Sequence, residues 1–259
     1  MSGIDRKNPL GICRVERDSS FYPPLLGEIF DPPAVLYYRG RLFNPEKPAV
    51  ALVGTRHPSS AASMQALALG REFAMAGVTV ISGLALGIDA LAHRGCLDGG
   101  GCTAAVLGSS VDQVFPASNR NLARRLLQAG GCLLSEYDPG TKPRKWHYPQ
   151  RNRIISGLAR ATIIVEAPAN SGALHTGRFA LEQGRDLFVA SAGVASPFGE
   201  GTKRLADEGC PVITHARDIL KEWAVALPQW NNDIKRNGGS VPVPPETALA
   251  ASLKRELDI

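Results

Sequence analysis

Seven short β-branched runs recur along this chain with helical stretches between them: AVALVG (49–54), VTVISG (78–83), CTAAVLG (102–108), GCLLSE (131–136), TIIVEA (162–167), DLFVAS (186–191) and CPVITH (210–215). That alternation constrains the fold more than any other feature. Most of the runs are continuously apolar rather than alternating, the pattern of strands covered on both faces. Helical stretches fall near 60–76, 86–98, 119–129, 152–160, 172–184, 201–208 and 216–226. Strand, helix, strand, repeated this often, predicts the α/β class with a doubly wound, mostly parallel sheet.

The flanks break the rhythm. Residues 1–47 include FYPPLLGEIFDPPAVLYYRG, whose prolines predict an extended N-terminal arm. The repeat then defines a domain over 48–227. Residues 228–259 hold a Gly/Pro/polar linker, PQWNNDIKRNGGSVPVPP from Pro228, and a short tail. No run approaches 18 apolar residues and the first twenty residues lack an apolar signal core, so the expected protein is cytoplasmic with no membrane partner. Five cysteines without a C-x-x-C pair predict reduced thiols, mostly small core residues, and no zinc site. The net charge of +5 permits an anionic partner without demanding one.

In such sheets ligands bind beyond the carboxyl ends of the strands, where the chain order reverses. The segments that follow the strands are Gly54-Thr55-Arg56, then Ser82-Gly83 through Asp89 with His93 a turn later, Gly108-Ser109-Ser110, Glu136 with PGTKPRKWHYPQRNR, and Glu166 with Ser171-Gly172 through Thr176. Glycine and hydroxyl residues at strand-to-helix turns let the backbone turn tightly and leave helix N–H groups facing an anion. Ser171 is equally an N-cap. Arg56, Lys142, Arg144, Lys145, Arg151 and Arg153 all fall at the same end of the sheet, so the edge is basic. Trp146, His147 and Tyr148 interleave rings with these cations, the mixture that single-stranded nucleic acid calls for. No groove-reading helix for duplex DNA is evident.

No nucleophile constellation accompanies this surface. G-x-S-x-G, H-E-x-x-H and a complete P-loop are all missing. His93 stands four residues after Asp89, close enough on a helix to touch it; a general base is one reading, a histidine that holds the preceding loop the simpler one. Glu136 and Glu166 end strands, where they are either catalytic carboxylates or partners for arginines and loop amides. The second assignment is the simpler.

Taken in order, Gly54-Thr55-Arg56, SGLALGIDALAH (82–93), AVLGSSVDQVFP (105–116), SE (135–136), YPQRNRIISGLA (148–159), VEAPANSGALHT (165–176) and a distal G-x-G-T resemble the DNA processing protein A (DprA/Smf) family, from about residue 22 to 220. The resemblance implies an extended Rossmann-like domain that binds single-stranded DNA, forms a homodimer and helps load the RecA recombinase in natural transformation. It implies no enzyme activity and no cofactor. It implicates Gly54, Thr55, Arg56, Ser82, Gly83, Lys145, Arg151, Asn152 and Arg153 in DNA or phosphate binding, with Tyr148 as a stacking ring and Ser171, Gly172 and Thr176 as pocket wall. Two features depart from the family pattern. His175 stands where an apolar residue is common, and the helical and winged-helix-like domains that usually flank this core are not matched.

Two other classes share the architecture. A nucleotide-sensing module would receive a small phosphorylated ligand in the same pocket. A phosphoribohydrolase would need a glutamate three residues after the threonine of its P-G-G-x-G-T-x-x-E loop; Phe179 occupies that position after Thr176. Successive helical residues lie about 100° apart. With a helix starting near 152, Ile154, Ile155 and Leu158 face the sheet, and Arg151 lies over the strand ends, on a phosphate or paired with Glu136 or Glu166. Arg153 is then the more exposed of the two arginines.

Overall fold

Five of the seven apolar runs become strands buried along their whole length, and the other two are buried except at Asp186 and Val212. The computed structural model describes residues 11–223. Among them lie strands β1 (Ile12–Glu16), β2 (Val35–Gly40), β3 (Ala49–Val53), β4 (Thr79–Ser82), β5 (Thr103–Val106), β6 (Cys132–Ser135), β7 (Ala161–Ile164), β8 (Asp186–Ala190) and β9 (Val212–Ile213). They form one sheet in the order β1-β2-β6-β5-β4-β3-β7-β8-β9, parallel from β6 to β9. The helices are α1 (Pro24–Gly27), α2 (Ser60–Met75), α3 (Ile88–Asp98), α4 (Arg120–Gln128), α5 (His147–Gly157), α6 (Gly172–Glu182), α7 (Ser191–Ala195), α8 (Glu200–Asp207) and α9 (Arg217–Leu220). The chain is α/β with a doubly wound, mostly parallel sheet. All seven expected runs are strands, and every expected helical stretch holds a helix.

Side chains alternate across a strand, so each run serves two cores. Ala104, Val106, Cys132 and Leu134 join one cluster with Ile154, Ile155 and Leu158 of α5. Ala105, Leu107 and Leu133 join another with Leu122, Ala123 and Leu126 of α4. The order β6-β5-β4-β3 runs one way; α5 then carries the chain back to β7 on the far side of β3. The reversal lies between β3 and β7, and the loops beyond their carboxyl ends diverge there.

Within the segment expected as an arm, Ile12–Glu16 and Val35–Gly40 are strands of this sheet. β1 pairs antiparallel with β2, and β2 pairs antiparallel with β6, in register Tyr38↔Leu134. Val15, Leu26, Ile29 and Leu36 are buried in the α5 core, Leu26 and Leu36 completely. The prolines that suggested an arm fall in the connection between β1 and β2, where Pro24 opens α1. That connection comes close to α5 because Gly157 has no side chain; a Cβ there would press on Ile29 and Leu26. Residues 228–259, expected as linker and tail, lie outside the described residues.

A second difference concerns α5. It begins at His147, five residues before the expected start at 152. Pro149 sits in its first turn, where the backbone N–H has no helical partner to lose, so the proline does not end the helix. All five cysteines are free thiols. Cys96 and Cys132 are core residues, and burial pushes the Cys96 thiol up to about 12; Cys13, contrary to the expectation for a core thiol, is exposed on edge strand β1.

Candidate nucleic-acid interface

The reversal between β3 and β7 opens a cleft of about 620 Å³. Four segments wall it, one of them the loop after β4 with Ala85 and Asp89. The turn after β3 supplies Gly54, Thr55 and Arg56; the basic loop and first turns of α5 supply Lys145, Tyr148, Arg151 and Asn152; the turn into α6 supplies Ser171, Gly172 and Thr176. These ten expected residues are far apart in sequence, and the fold brings them together. Ser82, Gly83 and Arg153 do not line the cleft. Gly83 lines a side cavity of about 150 Å³ that shares Arg56, Tyr148 and Arg151 with the main cleft.

Each turn has a local reason for its shape. Glu166 is fully buried at the end of β7; its Oε2 accepts from the N–H of Ser59 at 2.7 Å, and its carbonyl accepts from Thr55 N–H at 2.8 Å. The carboxylate thus ties the loop after β3 to the end of β7, the loop-amide role favoured from sequence. Ser171 caps α6 by accepting from Ala173 N–H. Gly172 is exposed with open space where a Cβ would lie, and its carbonyl accepts from Asn152 Nδ2 at 3.2 Å, so α5 and α6 are joined at the cleft. Ser82 is buried and donates to the Leu52 carbonyl at 2.6 Å, which makes it a link between β4 and β3.

The loop after β4 is held by Asp89, whose Oδ2 accepts from Gly83 and Ala85 N–H at 3.1 and 3.4 Å. Between them Leu84 has φ of 55°, a left-handed conformation costly for a leucine; Asn119 steadies it by donating to the carbonyls of Leu84 and Ala85. His93 does not touch Asp89 or this loop. Its Nδ1 lies 2.7 Å from Thr103 Oγ1 on β5. Burial, reinforced by the Arg151 charge, holds its pKa down at about 3, so the ring is neutral. A helical residue leans toward the N-terminus, which is why Asp89 reaches back to the loop amides and not forward to His93.

Arg151 lies over the strand ends as expected, but the partners of Arg151 and the exposure of Arg153 depart from expectation. Arg151 is 5% exposed and forms no ion pair with Glu136 or Glu166; its Nη1 donates to the carbonyls of Gly83 and Val106, at the ends of β4 and β5. Burial lowers its pKa against the pull of Asp89, and the guanidinium stays charged. Arg153, expected to be the more exposed, is 6% exposed. Its Nη1 and Nη2 donate to Glu136 at 2.8 and 2.7 Å, its Nε to the carboxylate and carbonyl of Asp31 at 3.0 Å. Burial works against this charge, but the bonds to Glu136 and Asp31 outweigh it and raise the pKa. The physical cause of both departures is the earlier start of α5: the arginines stand mid-helix, and the β1–β2 connection covers Arg153.

The cations left free are Arg56 and Lys145. Both are exposed on the cleft wall, and neither has an ion-pair partner among the described residues. His57 and His175, also exposed, stand on the same wall. His57 follows Arg56 directly, so the turn itself pointed to it. Of the three rings, Tyr148 lines the cleft. His147 is buried, stacked on Tyr137 at 3.9 Å, and Trp146 packs edge-on against it with half its surface exposed, outside the cleft wall. The cleft therefore offers two unpaired cations, one aromatic face and the start of an eleven-residue helix, α6, around open space large enough for a nucleotide unit. No group of three potential metal ligands exists among the described residues, and no helix among them is long and apolar enough to cross a membrane.

A family model described as DNA recombination-mediator protein A matches residues 14–224. Protein Smf of Synechocystis is 42% identical over 219 residues, which cover 83% of this chain and 54% of that protein. The X-ray structure of DNA processing protein A from Streptococcus pneumoniae superposes with a TM-score of 0.74 at 36% identity, covering 83% of this chain and 76% of the other. The Helicobacter pylori DNA processing protein A structure, described for its single-stranded DNA binding mode, gives 0.74 at 27% identity over 84% and 97%. The chain spans about half the length of the cyanobacterial relative.

Proposed function

The chain belongs to the DNA recombination-mediator protein A family, and on that premise we propose that its strand-end cleft binds single-stranded DNA. The observation that carries this reading is the pair of unpaired cations, Arg56 and Lys145, on a cleft that also presents Tyr148 and the N-terminus of α6. Phosphates meet the cations and helix amides while a base meets the ring, the division of labour that binds single strands without reading sequence. A duplex hides its base faces and offers nothing to Tyr148. The proposal extends to a homodimer and to loading of RecA on the strand in DNA uptake, functions supported by family membership. It includes no catalytic turnover: Phe179 stands where a phosphoribohydrolase needs its glutamate.

The test is a fluorescence-anisotropy titration of labelled oligothymidylate, the matching duplex and nucleoside monophosphates across a salt series. Single strands should bind best, with the logarithm of affinity falling by about 0.7 per phosphate neutralised for each log unit of salt. Arg56→Ala should weaken binding by about 1 kcal/mol or more, the scale of one charge-assisted hydrogen bond. Equal affinity for duplex, or affinity indifferent to salt, would refute the reading. Tight mononucleotide binding with no oligonucleotide binding would make the cleft a nucleotide sensor.

A further inference from the structure

Arg153 carries a guanidinium almost wholly removed from water. It does not reach the cleft. Nε donates to Asp31, Nη1 to Glu136 and to the Gln150 carbonyl, and Nη2 to Glu136, so each of its three nitrogens is already engaged. Glu136 is itself largely buried, with 11% of its side chain exposed. A buried ion pair of this kind adds little net stability over an apolar packing of equal volume, while it fixes one arrangement strongly. What it fixes is the start of α5.

The first turn of that helix has few apolar anchors. Tyr148 and Gln150 are half-buried and Pro149 is exposed, while the isoleucines that seat the helix on the sheet come a turn later. Three contacts hold the first two turns from the end of β6: Glu136 through Arg153, Tyr137 through its stack on His147, and the Tyr137 hydroxyl through its bond to Gln150 Oε1. Asp31 completes the hold from the β1–β2 connection. The residues held in this way are Lys145, Tyr148 and Asn152, which face the cleft.

We infer that Arg153 is a positioning residue and not a DNA contact, and that with Asp31 and Glu136 it forms a clasp by which the β1–β2 connection and the end of β6 set the DNA-binding wall of the cleft. The inference rests on the single-strand reading above. It assigns a binding role to Asp31 and Glu136, neither of which touches the cleft. It also makes the N-terminal strands a determinant of affinity.

The test compares Arg153→Lys, Asp31→Asn and Glu136→Gln with Lys145→Ala, using oligothymidylate anisotropy across salt and amide hydrogen exchange of residues 147–157 in the free protein. Asp31 is two-thirds exposed, so Asp31→Asn leaves the core intact if the harsher variants fail to fold. The clasp variants should lose roughly tenfold in affinity, about the scale of one hydrogen bond to a charged group, with an unchanged salt slope. Lys145→Ala, which removes a phosphate contact, should lower the slope by about 0.7. Exchange at the start of α5 should quicken in the clasp variants alone. A slope that falls with Arg153→Lys as it does with Lys145→Ala makes Arg153 a contact and overturns the inference. So does parent-like affinity and exchange accompanied only by earlier melting. If the parent binds no single strand, the functional reading fails, and hydrogen exchange alone decides the clasp: faster exchange supports it and unchanged exchange refutes it.

Discussion

Acid should unfold this protein earlier than its carboxylates require, and His93 is the reason. The ring is fully buried between α3 and β5, and burial with the nearby Arg151 charge holds its pKa at about 3 against an ordinary 6.5. The shift is a depression, so the folded state keeps the ring neutral while the unfolded chain takes up a proton below pH 6.5. Stability is therefore unaffected above 6.5 and is lost as the pH falls toward 3, because the unfolded state binds more protons there. One pKa unit is worth about 1.4 kcal/mol, which makes the loss from this residue about 2 kcal/mol at pH 5. That is a large share of a typical 5–15 kcal/mol. Asp112 and Asp218, whose pKa values are lowered, lose their contributions at more acid pH, while buried Asp89, whose pKa burial raises, gains stability as the pH falls and opposes the histidine; these groups are common to parent and variant.

The assay is urea unfolding at pH 7 and pH 5 for the parent and for His93→Asn. The asparagine amide stands near the position of Nδ1 and can still donate to Thr103 Oγ1, while the unpartnered Nε2 is removed. The variant should be less stable at pH 7, because the smaller side chain leaves a void. Its stability should then change less between the two pH values, by about 2 kcal/mol, than that of the parent. The other four histidines are common to both proteins and cancel in the comparison. Equal pH dependence would refute the reasoning and show that His93 takes up its proton in the folded state.

Two further outcomes follow from packing. Gly83→Ala places a Cβ against the Arg151 guanidinium, and overpacking of this kind should cost about 1–3 kcal/mol in urea unfolding; an unchanged midpoint would mean that the guanidinium moves aside freely. Leu36→Ala, in the strand that joins the N-terminal segment to β6, should cost about 2–5 kcal/mol, and a loss within the few tenths typical of surface changes would mean that the segment is separable.

The strands of the parallel sheet were legible because burial on both faces writes itself as an unbroken apolar run. β1 and β2 carry no such mark. They lie at the edge, with the burial of β1 confined to Val15 and that of β2 to Leu36, and the flanking prolines dominate the local composition. An antiparallel edge strand covered on one side has only a weak alternating pattern, and five or six residues are too few to show it. The start of α5 falls earlier than its sequence suggests for the opposite reason. A proline reads as a break, yet in the first turn it has no hydrogen bond to break.

The site shows where sequence reasoning stops. The segments after strands held all thirteen expected residues and ten of them line the cleft, since topology decides which turns meet at the reversal. Which arginine stays free is decided otherwise. Arg151 is engaged by the carbonyls of Gly83 and Val106, and a carbonyl acceptor has no signature in a sequence, since every residue supplies one. Arg153 is engaged by Asp31, 122 residues away and in the segment whose place in the fold was not evident. One error therefore produced the other: an arm that lies apart leaves Arg153 open to DNA, whereas a strand pair packed on α5 closes over it. Arg56 and Lys145 have no ion-pair partner among the described residues. On the proposed reading, the charge available to a phosphate in the cleft is the charge that folding leaves unneutralised there.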